Sequence, residues 1–456
     1  MVRRFFNPRS DQARFWNAYA ETMPRDRLDA LQLRRIKAML RYAYDRVPMY
    51  RKLYDAHGVH PDRIRTMDDF IAKIPIIDKK DLLAAQAVSP PWGEALAVPE
   101  DYLLYRFQTS GTTGVPLHIP ITYYSSVMYG EQWVYGFWHA GIRPPDSFYF
   151  AFNWGTFIGF WSTYWGVRRL GATVYSGGGQ DTKGRITQIL QYRPTVVLGT
   201  PTYVLYMAEV AKEMGVDLAA TSVRYIYTAG EPGPSIPATR RAIEEAWGAK
   251  AYELYGIGEV GAICPGCSSQ EGVHLAEDQA HCLVLDETNQ PVREGGIGEN
   301  IVTSFIQYAQ PIIKYRTHDL VEWHQGECVC GRTWTYFKGG VLGRTDHMIV
   351  IKGTNVYPTA VEAMLGRVRG LTENYEIHVD HVDRDDVVTV KVEAARELPE
   401  PRYDEVGLEA EQLFRANIGV RIGCEVLKPG ALPRYELKAK RFFDHRPPER
   451  KWQIQR

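Results

Sequence analysis

The spacing of apolar residues changes along the chain, and each change indicates a different kind of structure. Residues 28–57 carry apolar side chains at roughly helical intervals, which predicts amphipathic helices that end or bend at Pro48. From about residue 146, short apolar segments alternate with helix-length ones. The predicted strands are 147–152, 172–175, 194–199, 223–229 and 251–255, with helices over 204–214 and 236–247. This alternation predicts a parallel sheet wrapped by helices.

After about residue 283 the segments become short and alternating, with glycine turns, which predicts antiparallel strands. Beyond Gly343 the predicted elements are strands at 348–353, 375–380 and 387–395, a helix over 403–416 and a strand within 421–430. We therefore predict an α/β fold of two domains. Residues 1–345 form a large N-terminal domain with parallel sheets and a β-subdomain, and residues 346–456 form a small C-terminal α+β domain.

Composition narrows the classes of function. The 456 residues are too many for one compact core, in line with two domains. Lys plus Arg and Asp plus Glu both number 54, so no overall charge recruits nucleic acid or an anionic membrane. No apolar run approaches the roughly 18 residues that span a bilayer, and the basic start lacks the apolar region of a signal peptide. We expect a cytoplasmic protein with small-molecule substrates, and a homodimer is left open.

A loop at residues 108–116 (QTSGTTGVP) is the first candidate for chemistry. It holds four hydroxyl side chains and two glycines. Glycines let the backbone N–H groups approach a ligand and hydroxyls add donors, so the loop suits a polyphosphate. It is not a Walker loop, because no Gly-Lys-Ser/Thr follows. A mobile polar surface loop would have the same composition, which therefore does not decide the matter.

The segment TSGTTGVP resembles the phosphate-binding signature of the adenylate-forming superfamily, which includes acyl-CoA synthetases, luciferases and peptide-synthetase adenylation domains. Within it, the chain is most similar to the phenylacetate–CoA ligase family. Further family motifs follow in order: Ala-Gly-Glu-Pro at 229–232, Tyr-Gly-Ile-Gly-Glu at 255–259, Tyr-Arg-Thr-His-Asp-Leu at 315–320, Gly-Arg-Thr-Asp and Gly-Thr-Asn-Val-Tyr-Pro within 343–358, and Leu-Pro-Arg-Tyr-Glu-Leu-Lys at 432–438. One such match is weak, but the ordered set spans nearly the whole chain.

The resemblance implies a reaction in two steps. A carboxylate attacks the α-phosphate of ATP and releases pyrophosphate, and the thiol of CoA then displaces AMP. Because the first step brings an anion to a polyanion, cationic groups have to supply much of the catalysis. The implied ATP- or AMP-binding residues are Thr109, Ser110, Gly111, Thr112, Thr113, Gly114, Gly230, Glu231, Pro232, Tyr255, Gly256, Asp319 and Arg344.

Lys438 is the implied catalytic cation, because a compact ammonium suits a position between two oxyanions. It falls five residues after Pro433, as in the family, and this favours it over Lys440. Asp346 is the implied hinge about which a mobile C-terminal domain swings, and Gly353 is the implied CoA contact. The alternatives are a surface lysine and an ordinary linker aspartate.

Three other charged residues receive roles from the same resemblance. Asp319 would accept hydrogen bonds from two ribose hydroxyls, because a carboxylate can accept from adjacent donors. Glu259 would act in catalysis by ligating Mg²⁺, a hard cation that prefers carboxylate oxygen. Arg344 would contact the nucleotide. The alternatives are a turn-capping aspartate, a solvated turn residue and a charge beside the hinge.

The chain also departs from the family. Val115 stands where many relatives have Lys, Gly258 replaces Ser, and His318 replaces Gly or Arg, which indicates a divergent branch. Residues 256–261 also match the dinucleotide pattern G-x-G-x-x-G, but the sequence Ala-Ile-Cys-Pro-Gly-Cys that follows does not begin a helix. A dinucleotide site is therefore not expected.

The six cysteines are too few for a disulfide framework in a chain of this length, but they are clustered. Cys328 and Cys330 form a tight Cys-x-Cys turn, and Cys267 with His274 would complete a four-ligand zinc site. Cys264 competes with Cys267 for this role, and some members of the resembled family carry similar groups. With all ligands from protein, the zinc would be structural. Reduced, buried cysteines are the alternative.

The stretch 152–161 is dense in aromatic residues and lies where the resembled family lines its acyl pocket. The residues that we expect to form the pocket are Trp154, Phe157, Phe160 and Trp161. An aromatic slot favours a flat aryl acid over a long acyl chain, although core packing is the alternative for any one ring. We therefore predict an aryl- or arylacetate–CoA ligase that uses ATP, Mg²⁺ and CoA and holds a structural Zn²⁺. Its rivals are an enzyme that loads a carrier protein, one that forms a nucleotidyl adduct without CoA, and a non-catalytic nucleotide-binding protein.

Overall fold

Helices and strands alternate along most of the chain, as the apolar pattern predicts. The computed structural model describes residues 12–109, 116–326, 328–345, 349–351, 354–356, 358–382, 385–418, 420–434 and 441–446. The α-helices are α1 (Ala18–Glu21), α2 (Arg25–Arg46), α3 (Pro48–Ala56), α4 (Met67–Lys73), α5 (Lys79–Ala87), α6 (Tyr123–His139), α7 (Ile158–Leu170), α8 (Thr182–Tyr192), α9 (Pro201–Glu213), α10 (Pro237–Trp247), α11 (Pro358–Leu365) and α12 (Tyr403–Ile418). In this part of the chain, no helix is both long and apolar enough to cross a bilayer.

The strands fall into separate sheets. They are β1 (Leu103–Gln108), β2 (His118–Thr122), β3 (Ser147–Phe150), β4 (Thr173–Ser176), β5 (Val196–Gly199), β6 (Tyr225–Ala229), β7 (Lys250–Ile257), β8 (Gly261–Pro265), β9 (Gly272–His274), β10 (Ala280–Leu285), β11 (Ile297–Ser304), β12 (Tyr315–His324), β13 (Tyr336–Arg344), β14 (Ile349–Ile351), β15 (Thr354–Val356), β16 (Leu371–Val382), β17 (Asp385–Ala394), β18 (Gly423–Leu427) and β19 (Phe442–Asp444).

The central sheet has the order β4-β3-β5-β6-β7-β8, and the five strands β3 to β7 run parallel to one another. Strand β8 is antiparallel to β7, because it returns directly from it. The alternation of side chains along β3 packs both faces: Phe148 and Phe150 join the core under α6 and α7, whereas Tyr149 joins the core under α8, α9 and α10. The predicted α/β architecture is confirmed.

Antiparallel strands after residue 283 are confirmed as well. They form a five-stranded sheet of order β10-β11-β12-β13-β9. The predicted N-terminal helices are α2 and α3, separated at Val47 and Pro48 as expected. Ile36 and Leu40 of α2 are fully buried in one core with Ile301 and Val321 of this sheet.

The C-terminal residues build a separate core. A four-stranded sheet of order β18-β17-β16-β19 packs with α11 and α12 around side chains such as Val361, Ile377 and Phe414. The pattern did not predict α11, β15 or β19. The boundary that we place between residues 345 and 346 stays a prediction, because residues 346–348 lie outside the described part of the chain.

Described C-terminal residues contact the helices of the central sheet. Glu362 of α11 accepts a hydrogen bond from the Thr239 hydroxyl of α10 at 3.3 Å. Glu362 also pairs with Arg441 at 3.1 Å. Arg434 reaches Glu209 of α9 at 3.3 Å. These polar contacts fix the C-terminal sheet beside the segments that follow β5 and β6.

Candidate active site

Several of the candidate residues lie where parallel strands of the central sheet end. The carboxyl ends of β3, β5, β6 and β7 meet at one edge of the central sheet, and the segments after them begin at residues 151, 200, 230 and 258. In open α/β sheets this edge is where ligands bind. Motifs that are far apart in the sequence are therefore brought to one side of the sheet.

Thr109 lies at the base of the glycine-rich loop. Its backbone N–H donates to the Leu117 carbonyl at 2.9 Å, and its hydroxyl accepts from the Leu117 N–H at 3.0 Å. The Gln108 N–H donates to the Thr156 carbonyl at 3.2 Å, which ties the loop to the aromatic stretch. Ser110, Gly111, Thr112, Thr113 and Gly114 lie outside the described residues, as does Val115. The two hydrogen bonds between Thr109 and Leu117 therefore hold the two ends of the loop together.

Asp319 is 4% exposed and sits among the other nucleotide candidates. The Tyr255 hydroxyl donates to one of its carboxylate oxygens at 2.8 Å, and Arg344 donates to the other at 2.9 Å. Asp319 and Arg344 face each other across the β12–β13 register, which sets this contact. Asn300 donates to the Tyr255 hydroxyl at 3.3 Å. Each carboxylate oxygen keeps a second lone pair, so two further donors can be accepted.

Glu259 is a buried carboxylate in the same neighbourhood. It is 7% exposed, and the Tyr315 hydroxyl donates to it at 3.1 Å. Burial raises the pKa of Glu259, and the charges of Lys79 and Arg344 partly oppose the rise. A buried carboxylate of this kind gains from a bound cation, and carboxylate oxygen is what Mg²⁺ prefers. The residue therefore fits a magnesium ligand, and Arg344 lies close enough to act on both Glu259 and Asp319.

The adenine-site candidates follow β6. Gly230 adopts a φ of +94°, which L side chains rarely adopt, and it is exposed. Glu231 accepts a hydrogen bond from the Thr202 hydroxyl at 2.7 Å, which holds it against the start of α9. Pro232 is half-buried beside them. The segment is therefore held by Thr202 at Glu231 and exposed at Gly230.

Gly256 and Gly258 lie where neighbouring atoms leave little room for a side chain. A Cβ on Gly256 would lie 2.4 Å from the Gly261 carbonyl oxygen. Strand β8 can therefore pack this closely against β7 only because residue 256 is a glycine. A Cβ on Gly258 would lie 2.9 Å from Cδ1 of Ile119, so a serine at this position would require Ile119 to move. The strand β8 after this turn agrees with the absence of a dinucleotide-binding helix.

The predicted acyl-pocket residues form an aromatic wall at the start of α7. Trp154 and Trp161 meet edge to face with ring centroids 5.2 Å apart, and Phe157 meets Phe160 at 5.4 Å. Phe160 also stacks on Phe152 at 4.0 Å. All four predicted rings are at least partly exposed, and Phe157 is 39% exposed. They are available to a ligand rather than sealed in the core.

The four predicted metal ligands converge. The side-chain ligand atoms of Cys267, His274, Cys328 and Cys330 all lie within 4.8 Å of one another. The sulfurs of Cys267 and Cys328 are 4.0 Å apart, and the Cys330 sulfur is 3.4 Å from Nε2 of His274. Tetrahedral zinc requires about 3.8 Å between two sulfurs and about 3.6 Å between sulfur and nitrogen. Among the described residues the cluster contains Cys267 rather than Cys264.

Neighbouring groups support this cluster. Nδ1 of His274 lies 3.3 Å from the Trp334 carbonyl oxygen, a contact that orients Nε2 toward the sulfurs. Hydrogen bonds with Cys328 and Cys330 lower the pKa of the Cys267 thiol. Arg332 is fully buried, donates to the Gly266 carbonyl at 3.2 Å and pairs with Glu21 at 2.8 Å. The residues present therefore fit a structural zinc ion.

Sequence reasoning missed several partners of these residues. Tyr315 begins the Tyr-Arg-Thr-His-Asp-Leu motif, but nothing in the spacing indicated its hydrogen bond to Glu259. Asn300 lies in none of the family motifs. Thr202 could have been noticed, because Thr200 caps α9 and Pro201 begins it, which is a recognisable helix start. Lys438, Asp346 and Gly353 lie outside the described residues, so their roles stay predictions.

Comparisons with known proteins agree with the motif order. The family described as "AMP-binding enzyme" matches residues 21–305, and "AMP-binding enzyme C-terminal domain" matches residues 353–446. A phenylacetate–coenzyme A ligase of Thermus thermophilus is 34% identical over 93% of this chain and 98% of its own length.

Among solved structures, a 2-hydroxyisobutyryl-CoA ligase in the postadenylation state, in complex with 2-HIB-AMP, superposes with a TM-score of 0.91. It is 28% identical and covers 98% of this chain and 95% of its own. The same ligase with CoA in the thioesterification state, also 28% identical, covers 97% of this chain and 94% of its own but gives a TM-score of 0.73. The chain therefore belongs to the phenylacetate–CoA ligase family of AMP-binding enzymes and is an AMP-forming acid–CoA ligase.

Proposed function

We propose that the enzyme activates a small aromatic carboxylic acid, an aryl or arylacetic acid, as its acyl-adenylate and transfers the acyl group to CoA. The observation that carries the proposal is the group formed by the buried residues Asp319 and Tyr255 and the partly exposed Arg344, close to Glu259. Its donors and acceptors match what a ribose and a triphosphate require. The acid class rests on the exposed aromatic wall, because flat rings are well matched by edge and face contacts with aromatic side chains.

Asp319 is proposed to accept from the ribose hydroxyls. Tyr255 and Arg344 already occupy one acceptor position on each of its oxygens, at 2.8 and 2.9 Å, and so fix the carboxylate plane. Because the group is preorganised, little reorganisation is needed when ATP binds. Gly230 and Glu231 are proposed to flank the adenine, since Thr202 holds Glu231 still at 2.7 Å.

Charge neutralisation at the phosphates is assigned to three groups. Glu259 is proposed to hold Mg²⁺, which when bound would neutralise part of the triphosphate charge. Arg344 adds a second positive charge between Glu259 and Asp319. Lys438 is proposed as the cation between the attacking carboxylate and the α-phosphate, with Asp346 as the hinge of a C-terminal domain over 346–456 and Gly353 as a CoA contact. These last roles rest on the motif resemblance.

The Cys267–His274–Cys328–Cys330 cluster is proposed to bind one structural Zn²⁺. Four protein ligands leave no open position for a substrate, so the ion would brace the turn between β12 and β13. This turn continues into β13, which carries Arg344 at its far end. The metal would thereby stabilise the sheet that carries Asp319 and Arg344. These two residues and Tyr255 are called the nucleotide group below.

The test is AMP release by the purified enzyme with phenylacetic, benzoic, 2-hydroxyisobutyric and hexanoic acids, each with and without CoA. We expect turnover that depends on CoA and is greatest for an aromatic acid. Highest turnover on hexanoic or 2-hydroxyisobutyric acid would overturn the acid class but keep the ligase. AMP release that is indifferent to CoA would favour carrier-protein loading or a nucleotidyl adduct.

A further inference from the structure

His318 has an unusual backbone conformation beside the nucleotide group. Its φ is +65°, in the left-handed region that a residue with a Cβ rarely enters. A strained residue of this kind persists only where its surroundings hold it, and such residues concentrate at functional sites.

Contacts on three sides hold His318. Its backbone N–H donates to a carboxylate oxygen of Glu299 at 3.0 Å, and its Nδ1 lies 3.3 Å from the same oxygen. Nδ1 also lies 3.2 Å from the Thr345 hydroxyl oxygen. The Thr345 N–H donates to the His318 carbonyl at 2.7 Å. The histidine thus contacts Thr345 through both its backbone and its side chain.

Thr345 is the last described residue before position 349, and it directly follows Arg344. Arg344 pairs with Asp319, the residue after His318. The ends of β12 and β13 are therefore joined twice: once through the nucleotide group, and once through His318 and Thr345. The second connection lies where the chain leaves the sheet toward its C-terminal residues.

We propose that His318 is a positioning residue for the adenylation step. It holds Thr345 in place, and Thr345 lies where the chain leaves the sheet toward its C-terminal residues. Holding Thr345 therefore sets how the C-terminal residues are placed relative to the nucleotide site. The inference rests on the proposed function. The chain superposes on the postadenylation structure with a TM-score of 0.91 and on the thioesterification structure with a TM-score of 0.73, so the contact is seen in an arrangement close to the first of these. His318 does not itself touch the reacting atoms.

Two substitutions separate positioning from folding. His318→Gly relieves the strained φ and removes the ring, so the fold is kept or made more stable while the side-chain contact to Thr345 is lost. His318→Asn tolerates a positive φ, and its amide occupies the place of Nδ1, so it should restore the contact. Thr345→Val removes the hydroxyl with little change of shape and serves as the partner variant.

The measurements are ATP–pyrophosphate exchange with the best acid of the panel, thiolysis of the matching synthetic acyl-adenylate by CoA, and the thermal midpoint. For His318→Gly we expect kcat of exchange to fall roughly threefold to tenfold, the size of one lost hydrogen bond. KM for ATP, thiolysis and the midpoint should be kept, or the midpoint raised. Thr345→Val should give the same loss and add nothing to His318→Gly, and His318→Asn should recover the rate.

Wild-type exchange in His318→Gly, or an equal loss of both half-reactions, would overturn the inference. Deuterium uptake by the peptide over 341–351 provides a readout that needs no activity. We expect faster exchange there in His318→Gly than in the wild type and in His318→Asn. If the wild type forms no AMP, the proposed function fails, and equal deuterium uptake in all variants would then still refute the positioning role on its own.

Discussion

Substitution of Asp319 by Asn tests the nucleotide group without changing its shape. The wild-type carboxylate accepts from Tyr255 and Arg344 and keeps one lone pair on each oxygen for the ribose. The amide that replaces it carries no charge, and one of its two polar atoms becomes a donor. That donor faces the hydroxyl of Tyr255 or the guanidinium of Arg344, so the amide offers one acceptor where two are needed.

The expected loss follows from these contacts. A hydrogen bond to a charged acceptor contributes about 1.5–3 kcal/mol, so losing one bond to ribose should raise KM for ATP by roughly 10- to 150-fold. The loss of the ion pair should reduce the free energy of unfolding by about 1–2 kcal/mol, because Arg344, whose side chain is 27% exposed, is still partly hydrated. The protein should therefore remain folded in the assay.

The assay is acid-dependent ATP–pyrophosphate exchange over a range of ATP concentrations, with urea unfolding of the same preparations. Asp286→Asn is the matched control: Asp286 is an exposed aspartate that accepts from the N–H groups of Thr288 at 2.8 Å and Gln290 at 2.9 Å in the turn after β10. It should leave KM for ATP unchanged. An Asp319→Asn enzyme with native stability and an unchanged KM for ATP would show that Asp319 is a turn residue and would refute the assignment.

Three other predictions concern the cations. Lys438→Ala should abolish acyl-adenylate formation yet spare thiolysis of a supplied adenylate, whereas Lys440→Ala should affect neither; equal loss of both half-reactions would contradict the role of Lys438. Burial raises the pKa of Glu259, so the carboxylate takes up a proton as pH falls through that raised value and binds Mg²⁺ less well. The Mg²⁺ concentration for half-maximal exchange should therefore rise as the pH is lowered, and Glu259→Gln should lose about 100-fold of the rate at every pH tested. Metal analysis should find about one zinc per chain. Cys330→Ser should lose both the zinc and thermal stability, whereas Cys264→Ser should keep them. A metal-free preparation that is fully folded and active would refute the zinc site.

The sequence predicted the central sheet well because its apolar segments are long and unambiguous. The segments 194–199 and 223–229 became β5 (Val196–Gly199) and β6 (Tyr225–Ala229), each within two residues at its start. Helix α9 begins at Pro201, three residues before its apolar pattern does, because Thr200 caps it and Pro201 suits a first helical turn. Boundaries that depend on caps are invisible to apolar periodicity alone.

Short C-terminal elements were missed for a different reason. Helix α11 spans only Pro358–Leu365, directly after a motif, and β19 spans three residues, Phe442–Asp444. Elements this short show no clear period, and they are held by the core that they share with β16 and α12. Tertiary packing rather than local pattern determines them.

At the site, residue types were predictable but contacts were not. Clustered Cys and His side chains indicated a metal group, and the structure brings Cys267, His274, Cys328 and Cys330 together. By contrast, the hydrogen bond from Tyr315 to Glu259 joins residues 56 positions apart. His318, with its positive φ, lies in the irregular part of the β11–β12 pairing, between Arg316 and Leu320. Such pairings depend on strand register, which the sequence does not state.

The proposed reaction forms an aromatic acyl-adenylate and passes the acyl group to CoA. A single-turnover reaction of enzyme, ATP, Mg²⁺ and the best aromatic acid, followed by mass spectrometry, tests it most directly. We expect the acyl-adenylate to accumulate on the enzyme without CoA, and to be replaced by the acyl-CoA thioester and AMP once CoA is added. If no aromatic acid yields an adenylate, or if the adenylate persists after CoA is added, the proposed reaction is wrong.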